Sequence, residues 1–246
     1  MSVTFSSPPA RTGIDGQAAP QPAPAPEAPT ARGRARWPLW GAAGGILGLV
    51  ASFVSYPALE EEDWTKGPEV VDKLEAGHYR VGFILGLLAI GCLMIAAAGW
   101  RRWAEARAPR DLAARIVGQG LALTATVMVI FYGIVGSMGL YTKGGVEYGE
   151  TMSKEGIFVN HTLLDFGVLL GWWGAAAAAV AVAVMAFRTQ RLLPRWMGVV
   201  SILFLLPPVG MALATSLPGL VGFFLPLWLA VISLGMVFSK VADASA

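Results

Sequence analysis

The chain has 246 residues, of which 55% are hydrophobic and only 14% charged, and its mean hydropathy is +0.60. That composition excludes a water-soluble domain, in which about a quarter of the residues are charged. The formal charge of +2 and the sequence pI near 8.8 make no case for nucleic-acid binding, because the basic residues are accounted for by where they stand.

The first 36 residues form a distinct segment. From Ala18 to Pro29 proline alternates mainly with alanine and no aromatic residue occurs. Such a segment cannot bury a core, so residues 1–36 read as a disordered, partly polyproline II tail. Six apolar runs follow, at 38–57, 81–100, 117–140, 163–187, 197–216 and 219–238. Each is about the ~20 residues that a helix needs to cross hydrocarbon. The first run is too long for a signal-peptide core and lacks a small-x-small cleavage site, so it reads as a retained helix.

Charge sorts the connecting segments into two sides. Twelve of the thirteen arginines precede the first run or lie in the 101–116 and 188–196 loops. With the C-terminal tail these segments carry a net charge of +8, whereas the 58–80 and 141–162 loops together carry −5. Basic loops stay in the cytoplasm. The expected fold is therefore all-α, an integral membrane bundle of six transmembrane helices with both termini inside. It comprises the tail 1–36, a transmembrane domain 37–240 and a short cytoplasmic tail 241–246. Heavy alanine, glycine and arginine usage points to a bacterial inner (plasma) membrane.

Lipid supplies no hydrophobic drive for helix association, so small residues that allow close approach gain weight. Gly44 and Gly48, Gly82 and Gly86, and Gly167 and Gly171 are each spaced i, i+4. They predict tight packing within the bundle or a dimer interface. Pro207, Pro208 and Pro226 fall inside the last two runs and predict kinks there. The carbonyls they free must face protein or water, which allows a cavity. Cys92 stands alone and reads as a small packing residue.

The two acidic-side loops share a pattern. Trp64-Thr65-Lys66-Gly67 in the first corresponds to Tyr141-Thr142-Lys143-Gly144 in the second, and each loop leads to one of the two histidines, His78 and His161. A duplicated hairpin would give a parallel repeat.

The candidate polar site comprises His161, Asp165, His78 and Glu75. Asp165 is the sole acidic residue inside an apolar run, and an intramembrane carboxylate is a functional hypothesis by default. His161 lies i, i+4 from it on the same helical face, where the carboxylate would favour a charged imidazole. Trp172 continues that stripe. His78 and Glu75 join only if the second and fourth helices meet. Asp165 also has a structural reading, since an acidic residue near a helix start complements the helix dipole.

No metal-binding spacing, cysteine pair or phosphate loop occurs, and Gly136-Ser137-Met138-Gly139 lacks the serine order of an intramembrane protease. Catalytic and cofactor-binding residues are therefore not assigned, and no cofactor is expected.

Leu193-Pro194-Arg195-Trp196-Met197-Gly198 and Pro226-Leu227-Trp228-Leu229 resemble the C-terminal part of uncharacterised bacterial multi-pass proteins grouped as membrane domains of unknown function. The resemblance implies a six- or seven-helix bundle and no particular reaction. The functional expectation is a transporter-like protein or an accessory subunit of a membrane assembly. The alternatives are a membrane-embedded enzyme or metal-dependent hydrolase with an external site, and an external pH sensor. Expected partners are the lipid bilayer and either a second copy or another membrane protein, with no nucleic acid.

Overall fold

The computed structural model describes residues 35–57, 59–188, 192–239 and 241. The tail reading for residues 1–34 and 242–246 lies outside the described residues. Within them the protein is all-α. The helices are α1 (Trp37–Ser55), α2 (Ala76–Arg107), α3 (Leu112–Tyr141), α4 (Lys154–Leu170), α5 (Trp173–Phe187), α6 (Arg195–Thr215) and α7 (Val221–Phe238). Two short 3-10 helices, Glu61–Thr65 and Gly67–Lys73, lie between α1 and α2. Helices α4 and α5 together make one apolar span, so six spans are long and apolar enough to cross a membrane.

Local chemistry sets the ends. Pro38 opens α1 in the first turn, where its missing N–H is not needed. Pro57 ends it, because the residue before a proline is pushed out of the helical region, and Tyr56 is extended with φ −86° and ψ 119°. Asp111 caps α3 by accepting from the Ala114 N–H at 3.1 Å, and Ser153 caps α4 by accepting from Gly156. Pro194 precedes α6, which ends at Ser216 in the left-handed region with φ 59°.

Around the bundle α1 packs on α2, α2 on α3, α3 on α5, α5 on α6, α6 on α7, and α7 back on α1. An 18-residue apolar stretch of the α4–α5 span is 72% buried, the highest share among the six spans, whereas the corresponding stretch of α6 is only 22% buried and that helix turns Val199, Leu203, Leu206 and Leu213 outward. The alanine run of α5 explains this. Ala175, Ala178 and Ala179 are fully buried and admit neighbours at short range.

The paired glycines all pack within the chain. A Cβ on Gly44 would meet Cys92 and Leu93 of α2, one on Gly48 the Trp172 indole, and one on Gly82 the Ser55 side chain. Likewise Gly86 holds the Tyr132 ring, Gly167 the Phe131 ring and Gly171 the Met128 side chain. Gly174 and Gly120 bring α5 and α3 into backbone contact, since a Cβ on either would lie 2.4 Å from the other's carbonyl oxygen.

The expected fourth run is broken in its middle. At Gly171-Trp172 the chain leaves the regular helix through a tightened turn, with the Trp172 N–H bonded to the Leu169 carbonyl. The fully buried Trp172 indole wedges against Gly48 of α1. No proline causes this break. Pro207 and Pro208 lie within α6, and Pro226 within α7.

At the end of the bundle holding both described chain ends, tryptophans form a cluster. Trp37 meets Trp100 edge-on at 5.9 Å, Trp100 lies 5.0 Å from Trp103, and Arg107 covers the Trp103 ring. Their indoles donate to the Ala114 and Val241 carbonyls, which suits the half-polar level of a membrane interface. The motif 193–198 is a packing unit. Leu193 and Met197 are buried, Trp196 meets Gly235 of α7, and Gly198 meets Ala186 and Phe187 of α5.

Candidate functional site

At the opposite end the two repeat-bearing loops are stapled together. Glu75 and Lys143 form an isolated parallel bridge, in which the Ala76 N–H donates to the Lys143 carbonyl and the Lys143 N–H to that of Leu74. The matching tetrapeptides share one backbone feature: Gly67 and Gly144 both have positive φ, 59° and 83°, a region that glycine enters without steric penalty. Their settings differ, since Gly67 opens a 3-10 helix and Gly144 follows the end of α3. Lys154 pairs with Asp72 at 2.6 Å and ties α4 to the first loop. The Asp63 carboxylate, 2% exposed, accepts from Lys66 at 2.8 Å and Lys73 at 2.7 Å. These two ammonium groups hold it down to a pKa of about 2.

Helix α4 begins at Lys154, nine residues before the apolar run, and its opening turns pack on the Gly67–Lys73 helix. Asp165 is therefore level with the end of α1 and the starts of α2 and α7. There, a cavity of about 500 Å³ opens among these helices. Phe53 and Tyr56 come from the end of α1, Tyr79 from α2, His161 and Asp165 from α4, and Phe223 from α7. Leaving α1 at Tyr56 carries the phenol to Asp165, where its hydroxyl donates to Oδ1 at 2.8 Å.

Of the four expected site residues, His161 and Asp165 line the cavity wall, His161 buried and Asp165 partly exposed. His78 stands next to the cavity-lining Tyr79, the two rings 4.1 Å apart. Glu75 is exposed at the head of α2. Among the described residues no three His, Cys, Asp or Glu side chains group closely enough to hold a metal ion. Trp172 follows Asp165 into the bundle interior, fully buried, and its indole N–H has no hydrogen-bond partner among the described residues.

Sequence reasoning missed both tyrosines. Tyr56 lies 109 residues from Asp165, and nothing in either segment announces the pair. Tyr79 adjoins His78 in the sequence, yet only packing buries its hydroxyl without a partner among the described residues.

Comparison with protein-family models, with curated proteins and with solved structures finds no match to this chain.

Proposed function

We propose that this multi-pass membrane protein is a transporter-like, ligand-binding bundle with both termini in the cytoplasm of a bacterium, whose outward-facing cavity receives a small molecule. The observation that carries the reading is the cavity itself. It holds the one carboxylate of the six apolar runs, pairs it with a tyrosine from another helix, and is otherwise mostly apolar. Its volume of about 500 Å³ lies within the range of small-molecule pockets, about 300–1,000 Å³. The charge difference between the two ends of the bundle supports the orientation.

The hydrolase alternative draws little support. Glu75 is exposed and is not among the residues that line the cavity, and a metal-dependent mechanism needs several ligands around one point, which no group of the described residues supplies.

The test is a thermal-shift screen of the purified protein in detergent against a small-molecule library. A compound that raises the melting temperature of the wild type but not of a cavity-filled Leu164→Trp variant supports the reading. Equal shifts in both proteins across all hits would overturn it.

A further inference from the structure

The cavity wall is selective in its charges. Among its lining residues Asp165 is the sole carboxylate, the His161 imidazole one turn away on the same helix is the sole basic group, and neither lysine nor arginine lines it. Aromatic rings line the same cavity. Phe53 and Phe223 lie 5.3 Å apart at 44°, and Tyr56 and Tyr79 complete the aromatic wall. A cation near aromatic faces is attracted by their quadrupoles. Independently, the Tyr79 hydroxyl is buried, with the residue 1% exposed, and has no hydrogen-bond partner among the described residues. A buried polar group in that state is satisfied by a ligand or a bound water. The rest of the wall includes Leu164, Val168 and Leu169, and the hydroxyls of Ser52 and Ser55 that also line it donate to the Gly48 and Ala51 carbonyls of their own helix, so an apolar body fits this part of the cavity better than a sugar does.

Resting on the ligand-binding reading above, we propose that the occupant is an amphiphilic organic cation, an amine or an onium ion with an apolar body. Its charge sits at Asp165 among the rings, and its apolar part fills the cavity toward Val168 and Leu169. An organic anion would face a carboxylate with no lysine or arginine beside it. A bare calcium ion takes about six to eight oxygen ligands, and the wall supplies one carboxylate. The loops at this end carry a net charge of −5, a field that concentrates cations at the mouth.

The test uses the full-length protein in nanodiscs, with radiolabelled tetraphenylphosphonium as the probe and empty nanodiscs subtracted. Tetraphenylborate, of the same shape and opposite charge, serves as competitor. The assay is run near pH 8, where an ordinary histidine with pKa about 6.5 is neutral and does not compete with the probe. Saturable binding is expected, with tetraphenylborate a poor competitor. Asp165→Asn keeps the shape of the site and an acceptor for Tyr56, and should weaken binding by about tenfold or more through loss of the ion contact. Leu164→Trp, or Val168→Phe should the first variant fold poorly, should abolish binding.

Suppose the two ions compete equally, or Asp165→Asn binds as wild type while the cavity-filled variants do not. The cavity then takes amphiphiles without charge selection, and the cation assignment falls while the ligand-binding reading stands. Absence of saturable binding to wild type overturns the cation assignment. Binding undiminished in both cavity-filled variants overturns both readings.

Discussion

At the level of single residues, the Tyr56–Asp165 bond is a link between α1 and α4 that can be removed without changing volume much. Tyr56→Phe should lower stability by only about 1 kcal/mol, near the low end for bonds to charged groups, because Tyr56 is 48% exposed. Thermal unfolding in detergent reads this difference. Asp63 offers a pH-dependent counterpart in the loop. Its folded pKa, about 2, lies below the ordinary value of 3.8, so the ion-pair contribution is present above pH 3.8 and is lost as pH falls through about 2. Hydrogen exchange over residues 60–73 should thus stay slow from neutral pH down to about 4, once corrected for intrinsic rates. Asp63→Asn should speed it at neutral pH by releasing Lys66 and Lys73. Equal protection in the variant would show that the ion pairs do not order the loop. Asp165 was legible as a candidate from sequence because a charge inside an apolar run is costly wherever it points. Its partner was not legible, because a tyrosine at a helix end is ordinary interfacial chemistry until the fold brings α4 beside it.

At the level of helices, the packing is governed by which glycines are occupied by a neighbour. Gly86 has the Tyr132 ring within 2.4 Å of where its Cβ would stand, whereas Gly91, one and a half turns along the same helix, has nothing within 4 Å. Gly86→Ala should therefore destabilise the protein by about 1–3 kcal/mol through overpacking. Gly91→Ala should be neutral or stabilising by up to about 1 kcal/mol, from helix propensity. Comparable melting temperatures for the two variants would contradict this packing. Trp172 at the α4–α5 break gives a sharper contrast. Trp172→Phe deletes a buried N–H that has no partner among the described residues, so its loss of packing should be partly offset and the change small. Trp172→Ala leaves a void between α1 and α3 and should cost about 3–5 kcal/mol. The i, i+4 glycine spacing marked these helix faces as contact surfaces. It did not say that Gly44 would face α2 while Gly48 faces Trp172, since one helical face touches different neighbours at different depths.

For the whole molecule, the proposed orientation has a direct check. In a Cys92→Ala background, cysteines at positions 66 and 143 should react with an impermeant maleimide added to intact cells, and one at 105 should not. Labelling at 105 alone would invert the bundle and place the cavity on the cytoplasmic side. Lys66, Lys143 and Glu105 are all exposed, so reactivity would report sidedness rather than burial.

Hydropathy and charge along the chain were enough to establish six membrane-spanning segments and their unequal ends. Each depends on the transfer of local residues between water and lipid, which is nearly additive along a segment. Fold class and the isolation of Asp165 therefore follow from sequence alone. The break in the fourth span, the burial of α4–α5 among its neighbours and the cavity at the ends of α1, α2, α4 and α7 were decided by tertiary structure. These depend on pairwise fit between distant segments, an indole against Gly48 or a phenol against Asp165. Such fit is set by shape and close packing in three dimensions and leaves no periodic signal in the sequence.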